Sequence, residues 1–358
     1  MGLVAALRFN GKMGAILADE GFWNMRFRRN AHQESLYRLV DPDIAGALGI
    51  EVAYGGSGYA SLHHEIVQHA RARIRELWDG RGENGIANPP FKTVEDISRI
   101  ALESMHAVIR KRIDLRLKLF YGFDSTDVTQ GSYSTPDGKS IEIKQDAVRD
   151  RAVKIATGDE EGRLSKAWFK CRATTFGYDA ERGITGYFLD PSKFVMCYNH
   201  EGWDAFGSGK YASGIVLAQF LNRKPLEVRR EGCLPAEGLV TLIDAAINAM
   251  ETFQETGGNI NIVIVDGASK DQRYRETFDD TSRVAVEIVK ALRGGYIDRK
   301  KAEWLVERLL LKNEKDSRIE AELFKKATDA QALELALRGY KLDEIPRIVT
   351  PAAIPAKQ

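Results

Sequence analysis

The string HHEIVQH (63–69) has the outline of a zinc-protease helix, a motif that needs two histidines four residues apart so that both face one metal. His64 and His69 are five apart, which turns them about 140° from each other on a helix, so a surface-facing helix is expected and no metal. Gly55-x-x-Gly58 follows an apolar run and opens a helical pattern, but it lacks the Gly-Lys-Ser/Thr or dinucleotide spacing of a phosphate cradle. Arg26-Phe27-Arg28-Arg29, Arg110-Lys111-Arg112 and Lys166/Trp168/Lys170 could meet phosphates; a solvated face or subunit contact is the commoner explanation. A Ser/His/Asp triad assembles in space and leaves no spacing to read. The opening segment, MGLVAALRFNGKMGAILADE, raises a different chemistry. It is a hairpin turning at Asn10-Gly11 and ending on Asp19-Glu20, and some hydrolases carry their nucleophile on the first residue of such a hairpin. Met1, Gly2 and Leu3 offer neither hydroxyl nor thiol.

Elements that would position such groups follow from the pattern. Leu3–Phe9 is apolar on both faces, as a doubly covered strand is, and Met13–Ala18 returns from the turn. Residues 36–40 and 50–54 read as further short strands, with Gly55-Gly56-Ser57-Gly58 breaking the pattern. Helices follow from Tyr59 and from a Thr93 cap. Residues 124–166 are polar and read as an insertion with a hairpin at YSTPDGKSIEI and a charged helix at DAVRDRAVKIA. Strands resume at CRATTFGYD, ITGYFLD and KFVMCYN; helices start near Tyr211 and at Pro235; NINIVIVDG is a buried strand. Grouped strands and grouped helices favour two sheets between helix layers over alternating crossovers. From about Asp279 the chain turns into amphipathic helices, and 346–358 is a Pro/Ala-rich tail.

Composition bounds the function classes. The chain has 358 residues, with 52 Lys and Arg against 51 Asp and Glu, so no global field recommends nucleic acid or an anionic membrane as partner. Three unpaired-looking cysteines (Cys171, Cys197, Cys233) and no apolar leader or spanning segment point to a reduced, cytoplasmic protein. Ala6 stands where a myristoylation signal needs Ser or Thr. Nothing recommends a cofactor.

The element order and five strings resemble the proteasome β-type, N-terminal-nucleophile (Ntn) hydrolase family: LVAALRFNGKMGAILADE, the stretch from Tyr37 to Leu77, TTFGYDAERGITGYFLD, AFGSGKYASG and FQETGGNINIVIV. The resemblance covers 1–267 apart from 124–166. It implies an α+β, four-layer αββα sandwich, with an inserted segment and a helical extension at 279–345. In that family an N-terminal Thr attacks a carbonyl, its own amine takes the proton, a lysine held by an Asp tunes the site, and a Gly N–H forms the oxyanion hole. Carried over, Asp19 matches the lysine-holding Asp, or merely ends its strand. Gly55 matches the oxyanion Gly and on either reading serves a tight turn with positive φ. Ser208 matches a distal Ser, or caps a helix. Thr256 stands where a second Ser belongs, and Phe253 where its companion Asp belongs. Leu36 occupies the lysine position; Arg38, the nearest cation, stays protonated and cannot replace a tunable amine. The implied protein is a degenerate family member: a ring or scaffold subunit, a homo-oligomer, or a partner-binding module using its C-terminal helices. The alternatives are an active amidase or peptidase with Ser57 or Ser208 as an unusual nucleophile near Gly55, and a small-molecule binder using the cleft.

Overall fold

The computed structural model describes residues 2–24, 27–30, 35–80, 90–135, 137–143, 146–157, 171–191, 195–198, 200–225, 232–253, 256–269 and 272–339. In chain order the strands are β1 (Leu3–Arg8), β2 (Met13–Asp19), β3 (Gly21–Asn24), β4 (Phe27–Asn30), β5 (Leu36–Arg38), β6 (Glu51–Ser57), β7 (Ser132–Ser134), β8 (Ser140–Glu142), β9 (Arg172–Asp179), β10 (Gly183–Asp190), β11 (Val195–Tyr198), β12 (Trp203–Gly207), β13 (Ile260–Asp266) and β14 (Tyr274–Thr277). The helices are α1 (Pro42–Leu48), α2 (Ala60–Asp79), α3 (Val94–Tyr121), α4 (Ser125–Gln130), α5 (Asp146–Thr157), α6 (Lys210–Asn222), α7 (Pro235–Thr252), α8 (Asp279–Arg293), α9 (Arg299–Val306), α10 (Asp316–Lys326) and α11 (Ala330–Arg338). The chain is thus mixed α/β with antiparallel sheets. It folds as two units, Met1–Asp279 and Asp280–Gln358.

In the first unit, one five-stranded sheet has the order β12-β1-β2-β13-β14 and the other β11-β10-β9-β6-β5. The opening hairpin is central, with Val4 opposite Ala18 and Leu7 opposite Ala15. Alternation along β1 explains its unbroken apolar run. Val4 and Ala6 join Ile16, Ala53, Phe176, Ile184 and Val263 in a core that draws on both sheets. Leu3, Ala5 and Leu7 are buried too, and α7 contacts β1 and β2. The outer core of the second sheet packs Tyr37, Val52 and Leu189 with Leu62, Ile66, Ile97 and Met105 of α2 and α3. A reciprocal capping box between Thr93 and Asp96 starts α3.

Several expectations need correction. β6 does not break at Gly55 but runs on to Ser57, because Gly55, Gly56 and Ser57 pair with Thr174, Ala173 and Arg172 of β9. Gly55 does not have a positive φ. It is required because an added Cβ would stand 2.6 Å from Val4 Cγ1 and 3.0 Å from Ile16 Cδ1 in the shared core. Helix α1, started by Pro42 and stopped by Gly49 in the left-handed region, was not anticipated. Neither were β12 and β14, short edge strands with weak apolar alternation. Within 124–166, β7, β8 and α5 fall where the hairpin and charged helix were expected. The core there joins Leu117, Phe123, Val128 and Ala152. Lys166, Trp168 and Lys170 lie outside the described residues, as do the side chains of Arg26, Arg28 and Arg29.

The described residues of the second unit are helical. Ile288, Leu305, Leu309 and Leu310 are buried, while Trp304 stays partly exposed between Arg308 (4.2 Å) and Lys326 (4.6 Å). A π-helical turn, Glu307–Leu311, extends α9.

Candidate functional site

Four chain segments converge on the first residues of β1. Asp19, the last residue of β2, is 2% exposed. Its Oδ1 accepts from Leu3 N at 2.5 Å and its Oδ2 from Gly257 N at 2.8 Å. The carboxylate therefore ties β1 to the loop that enters β13. Burial raises its pKa to about 6, against the lowering effect of these two N–H bonds. An added Cβ at Gly2 would collide with Asp19 Oδ1. From the other side, Ser208 N donates to Gly2 O at 3.0 Å, and Leu3 pairs with Gly207. Ser57, at the end of β6, faces this corner: a Cβ added at Gly207 would stand 3.1 Å from its Oγ.

Asp19, Ser57, Ser208 and the Thr256-Gly257 turn thus share one neighbourhood. Gly55 sits two residues back along β6, opposite Leu36. Leu36 is buried in the shared core. Arg38 is committed elsewhere, bidentate to Glu51 at 2.7 and 2.5 Å and 5.1 Å from the Tyr274 ring centroid.

The local roles differ in part from those weighed from sequence. Ser208 does not cap α6; Gly209 holds that position with no side-chain bond. Thr256 Oγ1 donates to Ala249 O and Phe253 O, both at 2.8 Å, and so satisfies carbonyls at the end of α7. Phe253 is the C-cap of that helix.

One polar cluster escaped the sequence reading. His63 does not face solvent. It is buried, its Nδ1 lies 2.7 Å from Tyr54 Oη, and Cys171 Sγ is 3.9 Å away. Gly56 makes room for the ring, since a Cβ there would stand 2.5 Å from His63 Cγ. Burial lowers the His63 pKa to about 4 and pushes the Cys171 thiol up, so imidazole and thiol are both neutral near pH 7. The signal was available: Ile66, Val67 and Ala70 follow His63 at +3, +4 and +7, which puts it on the buried stripe. His69 Nδ1 meets Ser104 Oγ at 3.1 Å, and the ring of His64 lies 6.3 Å from that of Tyr37. Among the described residues, no three His, Cys, Asp or Glu side chains are grouped to hold a metal.

No protein-family model matches the chain, and no curated protein matches it. Among solved structures, "Anbu (ancestral beta-subunit) from Yersinia bercovieri" aligns with TM-score 0.47 and 11% identity, over 78% of this chain and 88% of that one. These findings overturn the expected membership of the proteasome β-type, N-terminal-nucleophile family as a degenerate member. No family model or curated relative supports it, and a likeness this slight carries no argument. The coarser description, mixed α/β with antiparallel sheets, stands on the chain's own strand pairing.

Proposed function

We propose that this chain is a non-catalytic assembly or partner-binding protein whose first unit is an αββα sandwich. The observation that carries the reading is the Asp19 carboxylate. It fills the space beside Gly2 where a side chain would project, and both its oxygens are engaged by backbone N–H groups. On this reading Asp19 is a staple between strands and not a partner for a catalytic amine. Gly55, Ser208 and Thr256 likewise have packing or backbone duties that need no chemistry. The layer order is supported by α2 and α3 contacting β6, β9 and β10, and by α6 and α7 contacting β12, β1 and β2. The proposed organisation is a sandwich over 1–267 with an insertion at 124–166, a helical extension at 279–345 and a tail at 346–358.

Assembly is supported by α6. KYASGIVLAQFLN carries Lys210 as its one charge and is apolar nearly all round, the composition of a helix covered on every side. Yet Tyr211 and Ile215, one turn apart, are exposed. Among the described residues no helix is long and apolar enough to cross a membrane. The test is turnover. Incubated with fluorogenic peptide and amide substrates, the full chain releases no product above buffer. Hydrolysis that disappears on Asp19→Asn contradicts the reading.

A further inference from the structure

The C-terminal part of α3 runs past the sheet core. Up to Val108 its buried residues face the outer core of the second sheet; beyond that, Ile113, Leu117 and Tyr121 pack with the insertion. The opposite side carries Leu115 and Leu119, 59% and 80% exposed. They lie one turn apart, about 40° from each other around the axis. Lys111 and Lys118 lie about 40–60° to one side of Leu115; Arg112 and Arg116 lie about 60–100° to the other. The apolar seam is therefore narrow and bracketed by cations on both flanks. Glu65 reaches Lys111 at 3.6 Å and Arg112 at 2.8 Å, and Asp124 reaches Lys118 at 3.5 Å, but both lysines stay largely exposed. Phe120, about 140° from Leu115, is outside the seam.

We infer that this seam docks a partner helix whose apolar stripe is flanked by Asp and Glu. Charge complementarity selects that occupant, as flanking charges do in helix pairs. A second copy of the same face would set Lys111, Lys118 and Arg116 against like charges. An anionic bilayer suits a broad apolar face of 100° or more, not a seam of about 40°. The inference extends the partner-binding reading and stands apart from whether the Asp19 corner turns over a substrate.

The experiment uses the full chain and a labelled, hydrocarbon-stapled helical peptide of about four turns, with a leucine stripe and glutamates on both flanks, read by fluorescence anisotropy. A peptide with lysine flanks is the comparison. The glutamate peptide binds about tenfold tighter, the sum of several exposed ion pairs. Leu115→Glu with Leu119→Glu abolishes binding while the far-ultraviolet circular dichroism is unchanged. Lys111→Glu with Lys118→Glu removes the preference, because one flank then opposes the other. Equal or absent binding of the two peptides overturns the inference. So does self-association, or binding to phosphatidylcholine–phosphatidylserine vesicles, that is lost with Leu119→Glu.

Discussion

Replacing Asp19 by Asn tests the buried carboxylate without changing its shape. The pKa is raised from 3.8 to about 6 on folding, with burial as the first cause. The folded state therefore holds this proton more tightly than the unfolded state, and between pH 6 and 4 the native protein binds more protons. Stability from this group rises as pH falls through that window and is lost as pH rises through 6. Integrated between pH 7 and pH 4, the difference is about 2 kcal/mol. The variant also loses one good acceptor for Leu3 N or Gly257 N, at a further cost of about 1–3 kcal/mol that does not depend on pH. Urea unfolding of both proteins from pH 4 to pH 7 separates the two effects. Wild type minus variant should grow by about 2 kcal/mol on going from pH 7 to pH 4. Parallel stability profiles, or a difference that shrinks toward low pH, would refute the placement of an ionisable, desolvated carboxyl at this corner.

His63 works in the opposite sense. Its pKa falls from 6.5 to about 4, so its contribution is complete above pH 6.5 and lost as pH falls toward 4. His63→Gln should remove about 3 kcal/mol of acid sensitivity between pH 7 and pH 4, read in the same urea series; an unchanged pH profile argues against a buried imidazole. Gly55→Ala forces a methyl against Val4 and Ile16 and should cost about 1–3 kcal/mol; a neutral effect in thermal unfolding would mean the sheets are further apart than described. Tyr211→Glu with Ile215→Glu should leave the fold intact and lower the sedimentation coefficient of an assembled wild type. If the wild type sediments as a monomer, the α6 face is not an assembly surface.

How much of this could be read from the residues depends on burial pattern. Strands covered on both faces, such as β1 and β13, announce themselves as unbroken apolar runs, and α3 announces its start through Thr93 and Asp96. Edge strands β12 and β14 carry mixed residues and depend on neighbours for their pairing, so no local signal marks them. Gly55 looked like a turn residue because glycine permits both a positive φ and a close approach, and only the opposing Val4 distinguishes them. Ser208 looked like a cap because its type suits one; its backbone N–H donates to Gly2. The family resemblance rested on short strings in a familiar order, and comparison with known proteins did not support it.

Intact-mass spectrometry after incubation with a peptide epoxyketone and, separately, a fluorophosphonate addresses the central claim most directly. The first reagent captures an N-terminal hydroxyl with its amine, and the second an activated serine such as Ser57 or Ser208 would become. The account predicts an unchanged mass with both. A stoichiometric adduct that vanishes on denaturation beforehand, at the start of β1 or on either serine, would contradict it.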